Sequence, residues 1–294
     1  MRIKHQFGGN WTDEKLERVR KYLHAYTTIF NANPRAQKLH TIYVDAFAGT
    51  GYRNPSNISD QTFLFDLVQE ENQSFLKGSA RIALEVEPPF KEYVFIERDP
   101  DYACELTRLQ REFAGRRSNI SVISQDANAY LLEWVRSTTW DKTRAVVFLD
   151  PYGMEVEWNV IRALGRTEAV DLWILFPLGV AVNRLLTKAG PPPERWARAL
   201  TRSFGTEEWQ DVFYPSQKVL TLFGEKEIHL KEADFEKIEE FFLSRLETAF
   251  AAVAPKPLAL TNSKNNPLYL LCFASANPKG AAIAIKIARY ILER

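Results

Sequence analysis

The sequence predicts an α/β fold: a mostly parallel sheet wound on both faces by helices, closed by an antiparallel hairpin and carrying an inserted, mainly helical subdomain. Three observations predict it. Nearly continuous apolar runs at 41–47, 92–97, 120–124, 144–150 and 171–176 alternate with amphipathic stretches near 79–87, 100–115, 127–137 and 156–165. Strands without polar alternation belong to parallel sheets covered on both sides. Further on, the runs 257–262 and 267–274 flank the turn-prone Ser263-Lys-Asn-Asn266, which reads as a hairpin. Between residues 181 and 231 the alternation lapses, and an insertion explains the lapse.

The elements follow in order. A helix is expected over 12–29, with Thr12 as its cap and Leu16, Val19, Leu23, Tyr26 and Ile29 on one stripe; Pro34 ends it. The strand and helix runs above then complete a core over 1–180. The segment 181–231 holds Pro191-Pro-Pro193, an Arg- and Trp-rich helix over 194–204 and a hairpin around Phe223-Gly224-Glu225. That element order is compatible with a winged helix. A long helix over 232–253, with Phe235, Ile238, Phe242, Leu246 and Phe250 on its stripe, opens the part that completes the core over 232–294.

Composition excludes several function classes. The 38 Lys and Arg nearly cancel the 37 Asp and Glu, leaving +1, so no uniformly basic surface exists and any nucleic-acid contact must be local. Two cysteines, Cys104 and Cys272, and four scattered histidines support neither a disulfide framework nor a metal site. No apolar stretch approaches the roughly 18 residues of a membrane span, and residues 1–5 do not open a signal peptide. A soluble, cytoplasmic protein with no membrane partner is expected.

The chemistry is expected at the carboxyl ends of the strands, where open α/β sheets bind ligands. Asp45-Ala-Phe-Ala-Gly-Thr-Gly51 ends the first strand. Gly49 and Gly51 allow a tight turn and close backbone approach, and Asp45 can accept from a ligand amine or hydroxyl. No Gly-Lys-Ser/Thr follows, so this is not a phosphate loop, and a plain strand-to-helix turn would also explain the glycines. Glu97 ends the second strand, placed to accept from ribose hydroxyls. After the third strand, Asp126 and Ala127 would lie beside an adenine amino group, although Asp126 could equally cap the next helix, as Asp99 could cap the one beginning at Pro100. The fourth strand ends in Asp150-Pro151-Tyr152-Gly153: a carboxylate acceptor, a proline that fixes the backbone and a ring that can stack on a planar base. A turn after a buried strand is the bland reading of the same four residues.

This ordered set resembles the class I, Rossmann-like S-adenosylmethionine-dependent methyltransferases. More narrowly, the chain resembles the three-Cys-motif partner family. The narrower likeness rests on the helix carrying Lys15-Leu16 and Tyr22-Leu23, on Phe47-Ala-Gly-Thr-Gly51, Lys77-Gly-Ser-Ala-Arg-Ile-Ala-Leu84 and Phe95-Ile-Glu97, on Asp150-Pro-Tyr-Gly153, Phe176-Pro-Leu-Gly179 with Asn183-Arg184, and Pro267-Leu-Tyr-Leu270. The resemblance implies S-adenosylmethionine as cofactor, held by Asp45, Phe47, Gly49, Gly51, Glu97, Asp126 and Ala127. It implies catalysis at Asp150, Pro151 and Tyr152, with no metal, and a partner of the radical, iron–sulfur type carrying a three-cysteine motif.

Departures from the pattern bear on the substrate. Gly51 and Glu97 stand more than twice as far apart as the roughly 20 residues usual between loop and ribose acid, and the stretch 52–78 between them is a candidate lid. The aromatic follows the proline directly, as in tRNA guanine-N2 dimethyltransferases, so adenine N6 is not favoured over guanine N2. DNA or RNA is the expected substrate, with an exocyclic base amine as acceptor, bound by Asn183, Arg184, Arg195, Arg198 and Arg202 beside Trp196 and Trp209. Arginines on amphipathic helices also simply face solvent. A non-catalytic methyltransferase fold serving as a partner protein, and a small-molecule or protein methyltransferase, are the other readings.

Overall fold

Aromatic and β-branched residues at His40–Ala46 form β1, the middle strand in a computed structural model that describes residues 10–48, 78–117, 119–151, 153–221 and 224–294. Parallel neighbours follow on both sides: β2 (Glu92–Ile96) and β3 (Ile120–Ile123) on one, β4 (Thr143–Leu149) and β5 (Val170–Phe176) on the other. The remaining strands are β6 (Ser216–Thr221), β7 (Gly224–His229), β8 (Ala252–Val253), β9 (Leu258–Thr261) and β10 (Pro267–Ser275). β10 lies antiparallel against β5, and β8 and β9 pair with the two ends of its far edge. Pro255 and Pro257, which cannot donate to a ladder, separate β8 from β9. The order β3-β2-β1-β4-β5-β10, with the inserted antiparallel strand, is that of the Rossmann-like class I methyltransferase fold.

Helices cover both faces. Against Tyr43, Phe95, Phe148, Trp173 and Phe273 pack α1 (Asn10–Ala32), α2 (Ser79–Glu85), α3 (Pro100–Phe113) and, from the far end, α9, whose range is Ala281–Leu292. Arg18 of α1 reaches across 273 residues to donate from Nη1 to the Ile291 carbonyl at 2.8 Å. The other face, Val44, Ile96, Val147 and Ile174, is covered by α4 (Ala127–Ser137), α5 (Trp158–Gly165), α6 (Glu194–Phe204), α7 (Trp209–Phe213) and α8 (Phe235–Glu247). Phe204 and Phe213 stack edge-on to Phe241 with ring centroids 5.1 Å away in each case, so α6 and α7 share their hydrophobic cluster with the sheet. β6 and β7 form the two-stranded antiparallel sheet of the expected hairpin, whose residues 222–223 lie outside the described chain. Gly205 closes α6 at φ +70°, a conformation that favours glycine, and a Cβ there would stand 1.8 Å from Trp158 Cδ1.

Two elements differ from expectation. Asn10 already lies in α1, so Thr12 is not a cap: it is buried inside the helix with its hydroxyl unpartnered among the described residues. The helix expected over 232–253 is confined to α8, capped by Asp234, whose carboxylate accepts from Lys237 N at 2.8 Å. Beyond Thr248 the chain leaves the helix so that β8 can pair with Ala274 and Ser275, a long-range demand that overrides local periodicity. No described helix is long and apolar enough to cross a membrane.

Candidate functional site

The tips of β1, β2 and β4 end level, because Ala46 is registered with Ile96 and with Leu149. Backbone bonds lace the next residues into a rim: Asp150 N donates to Ala46 O at 3.4 Å, Ala48 N to Ile96 O at 2.9 Å and Glu97 N to Ile123 O at 2.9 Å. Side chains alternate along strands. Asp45, registered with Phe95 and Phe148, therefore shares its face with Glu97 and Asp150, each two residues past one of those phenylalanines. Asp45 and Asp150 are directed to the side that α1 covers, where the Lys15 ammonium acts on both. Sequence-expected acids from three strands thus meet on one rim.

Phe47, first residue past β1, has φ 64°. For a bulky side chain this is a strained backbone, of a kind that clusters at ligand sites. Asp45 is fully buried, accepts from Tyr43 OH at 3.3 Å, and leaves Oδ1 without a partner among the described residues. Burial pushes its carboxyl up to about 7, with the Asp150 charge adding and hydrogen bonds from Ser79 and Tyr43 opposing. Glu97 is 5% exposed and is oriented by the Asp99 amide, 2.6 Å from Oε1; burial lifts it too to about 7. Asp126 caps α4, accepting from Ala129 N at 3.0 Å, and Asp99 caps α3 through Asp101 N at 2.9 Å. Ala127 is buried and Asp126 exposed at the same edge of the sheet. Gly49, Gly51 and Tyr152 lie outside the described residues, as does the candidate lid up to residue 77; Pro151 is buried beside Asp150.

The sequence reading missed Lys15. It projects from α1 onto the rim, its Nζ 3.0 Å and 2.9 Å from the two Asp150 oxygens, with the two side chains only 1% and 10% exposed. Burial lowers the ammonium to about 8 against the pull of Asp150, while burial raises the Asp150 carboxyl against the opposing pull of Lys15. The signal was present: Lys15 sits one turn from Trp11 and Val19, inside the stripe that Tyr22 and Tyr26 continue. A charge within an apolar stripe asks for a buried partner. Asn128 was missed as well. Its side chain donates to Glu155 O at 2.9 Å and accepts from Glu157 N at 3.0 Å, clamping the loop that leaves Asp150 onto α4.

The expected substrate residues separate into two groups. Asn183 is engaged by Lys231, whose Nζ donates to its Oδ1 at 2.6 Å. Arg184, Arg195, Arg198 and Arg202 are exposed. The last three recur at helical spacing on the face of α6 opposite buried Leu200 and Phe204, and only Arg198 approaches an acid on that helix, Glu194 at 3.7 Å. The carboxyl end of α6 abuts Trp158, the first residue of the helix after the Asp150 loop. Residues 183–185 also lie against α6. Among the described residues no group of three or more His, Cys, Asp or Glu could hold a metal ion.

Over 97% of its length the chain is similar to the crystal structure of protein LPL1258 from Legionella pneumophila, covering 91% of that chain at TM-score 0.50 and 14% identity. More distant is a candidate methyltransferase from Thermobifida fusca, at TM-score 0.35 and 14% identity over 90% of this chain and 80% of that one. An S-adenosylmethionine-dependent methyltransferase from Clostridium acetobutylicum stands at TM-score 0.33 and 9% identity, over 88% and 91%. No family profile and no curated protein matches. At these identities the likeness to the Legionella protein establishes the fold, in agreement with the strand order.

Proposed function

We propose that the protein is an S-adenosylmethionine-dependent methyltransferase acting on an exocyclic amine of a nucleic-acid base. The observation that carries this reading is the meeting of Asp45, Glu97 and Asp150 on one rim at the carboxyl ends of β1, β2 and β4. The residues fit the cofactor. Asp45 holds a buried carboxylate oxygen in need of a donor, and Glu97 holds a carboxyl at the strand tip where ribose hydroxyls are accepted. When bound, the cofactor would supply an electrophilic methyl group on a sulfonium. Glu97 and Asp45 would hold it by accepting hydrogen bonds, and the strained turn at Phe47 would bring backbone close to it.

Asp150 would accept an N–H of the target amine, turning the nitrogen lone pair toward the methyl group, and take up the proton released when the new C–N bond forms. The arginine stripe on α6 supports a nucleic-acid substrate, since side chains of this kind hold phosphates without reading sequence. Purified protein is expected to bind S-adenosylmethionine or its demethylated product in a calorimeter, and Glu97→Ala to weaken binding by about tenfold or more, the loss of a charged hydrogen bond. No heat at millimolar ligand would overturn the reading.

A further inference from the structure

Stability alone does not explain Lys15. A buried ion pair roughly breaks even against well-packed apolar groups, and Val19, Tyr22 and Tyr26 show that the same stripe of α1 packs well with apolar ones. The pair does supply a cationic donor and an anionic acceptor held side by side, with Nζ 3.0 Å and 2.9 Å from the Asp150 oxygens, at the atoms where a target amine would be accepted. Carboxylate oxygens offer about four lone-pair sites between them, so Asp150 can keep one bond to Lys15 and accept an amine N–H as well.

A molecule that exchanges with the other Nζ–Oδ bond must present an acceptor to Lys15 and an N–H to Asp150, next to each other. That is the edge of a carboxamide, O=C–NH2, or of an amidine, N=C–NH2, and of the two the amidine is the one a nucleic-acid base carries at its exocyclic amine. It occurs at N1 and N6 of adenine, N3 and N4 of cytosine, and N3 and N2 of guanine. An aliphatic amine or a hydroxyl lacks the adjoining acceptor, and the carboxamide of Asn or Gln presents an oxygen in place of the ring nitrogen.

Resting on the methyl-transfer reading above, we propose that Lys15 is a substrate-contacting residue that donates to the ring nitrogen adjoining the target amine, and that the acceptor substrate is an amidine-edged heteroaromatic base. In the step itself the amine lone pair forms the new N–CH3 bond while the C–S bonding pair returns to sulfur. The amine proton passes to an Asp150 oxygen. Lys15, by drawing density toward the ring nitrogen, makes that N–H more acidic and its transfer to Asp150 easier.

The test uses the full chain, labelled S-adenosylmethionine and single-stranded oligonucleotides in which adenine, cytosine or guanine is replaced by 1-deazaadenine, 3-deazacytosine or 3-deazaguanine. Each analogue keeps the amine and loses only the adjoining ring nitrogen. Whichever base accepts the methyl group, its analogue is expected to react at least about tenfold more slowly, as loss of a hydrogen bond to a charged donor implies. Lys15→Met, whatever it does to both rates through Asp150, should bring the ratio of parent to analogue rates from about tenfold toward one, the signature of two changes removing one interaction. Equal rates for parent and analogue in the unaltered protein would overturn the proposal without any variant having to fold. A Lys15→Met that slows both equally would do the same. Absence of transfer to every oligonucleotide would remove the base-methylation reading itself, and so is distinguishable from failure of this inference.

Discussion

Asp45 and Glu97 each hold their proton up to about pH 7 because burial disfavours their charge. A carboxylate that must be ionised to accept from a ligand loses affinity where it is protonated in the free protein. S-adenosylmethionine binding is therefore expected to weaken below 7, by up to tenfold per pH unit for each group that must release a proton. Calorimetry between pH 6 and 9 in buffers of differing ionisation heat reads this directly, and Glu97→Gln should remove part of the slope. The acids of this rim were legible because strand ends announce themselves in sequence. Lys15 was not, since its partner Asp150 lies 135 residues away and lysines on helices ordinarily face water. Asp126 stays compatible with two uses: one oxygen caps α4 at Ala129, a local role the sequence allowed, and the carboxylate stands exposed at the sheet edge.

At the level of elements, α4 and the loop after Asp150 act as a unit through the two hydrogen bonds of Asn128. Removing them should loosen the loop that carries the acceptor while leaving the Asp45 and Glu97 side of the rim alone. Asn128→Ala is expected to lower kcat about tenfold or more, with little change in the calorimetric Kd for the cofactor. The stripe on α6 makes a separate prediction. Replacing Arg195, Arg198 and Arg202 by Gln should weaken nucleic-acid binding uniformly across sequences and flatten the slope of log K against log salt by about two to three units. Helices and central strands followed from periodicity. The exceptions were tertiary: α8 stops early because Ala252 and Val253 are needed on the edge of β10, and a two-residue strand leaves no periodic trace.

For the molecule as a whole, alternation of apolar runs with amphipathic helices was enough to give the doubly wound sheet and the turn residues 263–266 enough to give the β9–β10 hairpin, while β8 was the least legible part. Exposed Lys and Arg are spread along the chain and offset by as many acids, so the +1 total leaves the α6 stripe of Arg195, Arg198 and Arg202 as a local feature. That helix is locked to the sheet layer where Gly205 meets Trp158. Gly205→Ala, which needs both φ +70° and space already filled by the indole, is expected to cost about 2–3 kcal/mol in denaturant unfolding. The bond from Arg18 to Ile291 has a consequence in time. During synthesis at about 5–20 residues per second, α1 emerges early and must wait until α9 has left the ribosome before both of its neighbours are present. Lys15 is carried on that same helix, so the seating of its ammonium against Asp150 shares the helix that is last to gain its full packing.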